Sequence, residues 1–199
     1  MNKARETVEY LCSVFGNNIE DSFLESVNHY YELHREELLD ISPSTKAALI
    51  NDYIYLNFKK CFQDVGGFEF IKKKNFRFIG YDCKILIRIK KLNKARKPAI
   101  NKTHASEKFN IQANMGLLEN AQATNVYLGY VINHESGNID QVAFVCPNEE
   151  GSIAWTIDVT EQAIQKDLDF NIIPITPETD SKPGRLRPKN PKRKKENEQ

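Results

Sequence analysis

An α+β fold, with N-terminal helices packed on one face of a largely antiparallel sheet, is the architecture this 199-residue chain predicts. Three observations predict it. Apolar residues in the first third recur at helical spacing. From Phe68 onward they alternate with period two, and turn residues separate the alternating runs at short intervals. Helices come as one run and strands as others, an order that points to α+β rather than to alternating βαβ units. The length fits one domain over residues 1–177, helical over residues 1–64 and β-rich over residues 65–177. Residues 178–199 are Pro- and Lys-rich with little to bury, and read as a disordered basic tail.

The elements follow in order. Val8, Leu11, Cys12 and Phe15 place a short helix over 4–15, ended by Gly16-Asn17-Asn18. A second helix runs from Glu20 to Leu39, with Phe23, Val27, Tyr30, Leu33 and Leu38 on its apolar stripe. A third runs to about Phe62. Either Ser42 caps it with Pro43 at the first helical position, or Ser44 caps it a turn later. Gly66-Gly67 marks the switch to β structure. Strands are predicted over Phe68–Lys72, Phe76–Tyr81 and Cys83–Leu92. In the third, Ile85, Ile87 and Ile89 face inward while Lys84, Leu86, Arg88 and Lys90 face outward. Asn93–Thr103 reads as an exposed basic loop, and Ser106 caps a helix over 107–120. A meander over Val126–Ile132, Ile139–Cys146 and Ser152–Val159 makes the second three-stranded run, and Thr160–Leu168 forms a last short helix.

Charge is segregated along the chain. Residues 1–58 hold 4 Lys/Arg and 10 Asp/Glu; residues 59–108 hold 15 and 4. Residues 109–181 hold 1 and 11, and residues 182–199 hold 8 and 2, so the net +1 hides alternating acidic and basic blocks. Lys72, Lys73, Lys74, Arg88, Lys90, Lys91, Lys94, Arg96, Lys97 and Lys102 form the candidate binding set. Basic side chains interleaved with Phe76, Phe78 and Tyr81 suit phosphate contacts with DNA or RNA, or an acidic protein partner.

Other chemistry finds less support. No glycine-rich phosphate loop, HExxH or CxxC is present, and no metal site or cofactor is predicted. His29 and His34 are five apart and do not share a helical face. The order helix, three strands, helix, strand also fits restriction-endonuclease-like cores. That chemistry needs an Asp on the second strand and an acidic-x-Lys pair on the third. Asp82 and Lys84 supply half of the pattern as catalytic candidates, but Lys84–Lys91 carries no carboxylate. A Cys83–His104 nucleophile pair rests on no spacing rule. The scattered Cys12, Cys61, Cys83 and Cys146 read as reduced, mostly buried thiols of a cytoplasmic protein. No leader or membrane-inserting segment is predicted.

Gly80-Tyr81, Ile87-Arg88-Ile89-Lys90-Lys91-Leu92, Gly129-Tyr130-Val131-Ile132, Val145-Cys146-Pro147 and Ala154-Trp155 resemble the motifs of a group of bacterial hypothetical proteins. Members lie beside a helix-turn-helix regulator with an ImmA/IrrE-type domain. The resemblance covers less than half the chain. It implies a toxin-like member of a toxin–antitoxin or phage-defence pair whose antitoxin partner is encoded nearby. It carries no catalytic residues over.

Overall fold

The computed structural model of the chain describes residues 2–34, 41–73, 76–99, 103–118, 123–133 and 137–159. The expected helix Thr160–Leu168, the tail 178–199, Lys74 and Lys102 lie outside the described residues.

One apolar stripe organises the N-terminal third. Val8, Leu11, Cys12, Ile19, Phe23, Val27 and Tyr30 are all buried. They continue at helical spacing on both sides of Gly16, so α1 (Asn2–Leu33) is one helix of 32 residues where two were expected. A glycine inside a helix costs only about 1 kcal/mol relative to alanine. Each buried Leu, Ile or Phe returns roughly 1.5–3 kcal/mol. Burial on both sides of Gly16 therefore outweighs the break signal.

The start of α2 (Pro43–Phe62) was legible. Ser42 Oγ accepts from the Thr45 backbone N–H, and Pro43 opens the first turn, where its missing donor costs nothing. The two helices run antiparallel, because their contacts pair in reverse order: Tyr53 with His29, Asn57 with Glu25, and Phe62 with Phe15.

Six strands follow: β1 (Phe68–Lys73), β2 (Phe76–Tyr81), β3 (Ile85–Lys91), β4 (Thr124–Ile132), β5 (Ile139–Pro147) and β6 (Ile153–Asp158). They form a single sheet in sequence order, with every neighbouring pair antiparallel except β3 and β4. The two expected three-stranded runs are thus joined by one parallel pair. A parallel pair needs a crossover rather than a hairpin, and residues 92–123 supply it. Within the crossover lies α3 (His104–Asn110). Its N-cap is Thr103 rather than Ser106, and it ends ten residues before the expected Asn120. The described residues from 111 to 118 form no regular element.

The crossover changes the layering. Ile79, Ile85, Ile87, Ile89, Leu128, Tyr130, Val142 and Phe144 pack against α1 and α2 in one core. Phe78, Leu86, Tyr127, Ala143 and Val145 point the other way and pack against Leu92 and Phe109 of the crossover in a second core. Helices therefore cover both faces of the sheet, not one. Gly80 and Gly129 show how close the crossover lies. A Cβ on Gly80 would sit 2.6 Å from Leu118 Cδ2, and one on Gly129 would overlap the Leu92 side chain. Two motif glycines thus serve packing. No described helix is long and apolar enough to cross a membrane.

A candidate anion-binding cleft at the end of strand β3

Neighbouring residues of a strand point to opposite faces. Lys91 therefore projects toward α2, and Lys90 toward the crossover. A cleft that takes in both lies across the end of β3. Its larger compartment, of about 870 Å³, is lined by the first turns of α2 and by Lys90, Lys91, Asn93 and Lys94. The smaller, of about 300 Å³, is lined by Tyr31, Lys46, Ile50, Lys91 and Ile132 among others. Pro43, Ala47, Lys91 and Ile132 border both, so the two compartments are contiguous.

A tight loop fixes the outer rim. Asn93 Oδ1 accepts from the backbone N–H groups of Ala95 and Lys97, Asn93 N–H donates to Lys97 O, and Leu92 bridges to Pro98. This holds Lys94 at the mouth. On the inner side the Lys46 ammonium lies 4.5 Å from the Tyr31 ring centroid.

Among the described residues, the charged side chains lining the cleft are all cations. Among the described residues no carboxylate lies within ion-pair distance of Lys46, Lys90, Lys91 or Lys94. Burial pushes the Lys90 ammonium down from 10.5 to about 8, and the Arg88 guanidinium adds to the push. Burial also lowers Lys91, with Lys46 as the like charge beside it. A cavity whose described lining holds cations and no carboxylate is suited to an anion.

The other members of the predicted binding set fall elsewhere. Lys72 and Lys73 are exposed at the end of edge strand β1. Arg88 was expected on the outer face but is only 9% exposed. It stacks 4.7 Å from the Phe76 centroid and donates to Ser106 Oγ of α3 at 3.3 Å, so the crossover helix covers it. Arg96 is held by Gln141 and Asp158. Lys97 is exposed on the loop. So of the ten residues Lys90, Lys91 and Lys94 line the larger compartment, and Lys46 lines the smaller with Lys91. Lys46 was missed because it sits in an acidic stretch; its place near the start of a Ser-Pro-capped helix was the available signal.

Asp82 and Lys84 stand at the β2–β3 hairpin tip, paired with each other at 3.1 Å. On the face where β3 would need carboxylates it presents Leu86, Arg88 and Lys90. Among the described residues no three His, Cys, Asp or Glu side chains are grouped to hold a metal ion. Cys83 lies in the hairpin turn and His104 opens α3. Cys12 and Cys146 are buried, with burial lifting each thiol to about 12, whereas Cys61 is exposed and Cys83 half-exposed, so only two of the four thiols fit the expected burial. No family model matches the chain, and neither a curated protein nor a solved structure is significantly similar to it.

Proposed function

We propose that this chain is a non-catalytic binding protein that takes the phosphate backbone of a single-stranded nucleic acid along the Lys46–Lys90–Lys91–Lys94 cleft. The observation that carries this reading is that four cations, from α2, β3 and the loop after it, line two adjoining compartments with no described carboxylate to neutralise them. Two of the four are partly desolvated, which is costly for a charge unless a counter-ion arrives. The setting also favours one strand over a duplex: the cleft lies between a helix start and a strand end, not on a broad basic face.

The test is titration of the full chain with a short single-stranded oligonucleotide over a range of salt. Four phosphate contacts give a slope of log K against log salt of about −3 for a single strand. Neutralising Lys90, Lys91 and Lys94 together should remove most of the binding and flatten the slope. Binding that ignores salt, or is absent, counts against the proposal.

A toxin-like role beside a helix-turn-helix/ImmA-IrrE-type antitoxin is what the motif resemblance supports. In that role the same cleft is the effector surface and the antitoxin occludes it. Growth arrest on induction, relieved by the neighbouring gene and lost with the cleft lysines, is the expected result. No effect on growth argues for the binding function alone.

A further inference from the structure

We infer that the smaller compartment recognises a terminal phosphate, so that the cleft binds nucleic acid by its end rather than along its length. This rests on the proposal that the cleft is a nucleic-acid site. The two compartments differ in size and in what lines them. The larger, of about 870 Å³, carries Lys90 and Lys94 beside the polar Asn93 and Ser44. The smaller, of about 300 Å³, has Tyr31, Ile50 and Ile132 as walls and Lys46 with Lys91 as its cations. That volume is at the lower end for pockets that hold a single small ligand. It suits one terminal group and not a strand passing through, which would have to enter and leave.

The charge pattern favours the same ligand. Lys46 and Lys91 share the compartment, where burial and then the Lys46 charge disfavour the charged form of Lys91. A phosphate monoester carries about −1.5 to −2 charges at pH 7, whereas each bridging diester carries one. The monoester also offers three free oxygens against the diester's two, enough to bond both ammonium groups at once. Lys91 borders both compartments. It can therefore hold the terminal phosphate from one side while the next phosphates run out past Lys90 to Lys94 at the mouth.

The experiment compares oligonucleotides of one sequence and length bearing a 5′-phosphate, a 3′-phosphate or hydroxyls at both ends, against the full chain. One phosphorylated end should bind about tenfold or more tighter than the hydroxyl form, the scale of an added charge-assisted hydrogen bond. Which end it is assigns the polarity. Inorganic phosphate should compete away this advantage first. Lys46→Gln should collapse the ratio between phosphorylated and hydroxyl forms toward one. Lys94→Gln should weaken both forms and keep the ratio. Equal binding of all three by the unmodified protein overturns end recognition and leaves the cleft as a backbone site. No binding to any of them overturns both readings.

Discussion

Arg96, in the loop after β3, donates to the carboxylate of Asp158 on β6 at 3.3 Å, so the far edge of the sheet is tied to the loop that frames the cleft. The Asp158 side chain is 5% exposed, and Gln141 of β5 shares its carboxylate. Only Asp158 of the pair is buried, and removing Arg96 takes a charged donor from that poorly solvated carboxylate. Arg96→Ala is therefore expected to lower stability by about 2 kcal/mol. Arg96→Lys recovers only part of this, because an ammonium cannot reach Gln141 and Asp158 with one planar fork. Urea unfolding of the three proteins measures it. A change under 0.5 kcal/mol, roughly the scale of surface substitutions, would show the tie to be incidental.

Gly129 and Leu92 make a second close contact, where the start of the crossover lies on the backbone of β4. A Cβ at 129 cannot fit without moving Leu92, which is 2% exposed. Gly129→Ala should cost about 1–3 kcal/mol through overpacking. Leu92→Ala alone should cost about 2–5 kcal/mol through a cavity. The two substitutions together should cost less than their sum, since each relieves the defect of the other. Strict additivity in a double-mutant cycle would mean that the two residues do not meet.

The cleft predicts its own pH dependence. Lys90 sits at about 8 in the folded chain against an ordinary 10.5, so the unfolded chain holds its proton over a range in which the folded chain has lost it. Stability contributed at this position therefore rises with pH between about 8 and 10.5, and the cost of the buried charge is fully present below 8. An anion bound in the cleft stabilises the charged form. Affinity should accordingly fall above pH 8, by at most about tenfold per pH unit for one linked proton. Lys90→Met should weaken binding, remove this pH term and raise stability, a trade that marks a residue kept for function. Lower stability in Lys90→Met would place Lys90 in the scaffold.

Legibility in the sequence followed the length scale of the signal. The start of α2, where Ser42 was one of two cap candidates, and the period-two strands depend on near neighbours and were readable. The continuity of α1 through Gly16 depends on a stripe that resumes beyond a local break. The parallel β3–β4 pair was hidden because its crossover has no periodicity over Asn93–Thr103. The same gap misplaced Arg88: a helix was expected after β3, but not on that face, so a Lys-Leu-Arg-Lys face reads as solvated. Lys46 joined the cleft through tertiary packing alone, which charge counted by segment cannot reveal.

The β2–β3 hairpin separates the remaining chemical reading from a structural one. Asp82 and Cys83 occupy its two central positions with φ of 50° and 52°, the left-handed pair of a type I′ turn. The Lys84 N–H donates to Tyr81 O at 2.9 Å and closes the turn. Asp82 suits the first position, but Cys83 stands where glycine is preferred, since glycine adopts positive φ without a Cβ penalty. If the turn is structural, replacing Asp82 by Asn and Cys83 by Gly should raise stability by about 1 kcal/mol and leave nucleic-acid binding and any effect on growth as they were. If Asp82 and Lys84 instead served a metal-dependent cleavage, the Asp82→Asn change alone would abolish it, since the amide removes the charge that holds the ion. Thermal melting, salt-dependent binding and growth on induction, run on the same double variant, separate the outcomes. A more stable protein that binds and acts as before makes Asp82 a turn residue; a more stable protein that has lost its effect on growth makes it a catalytic one.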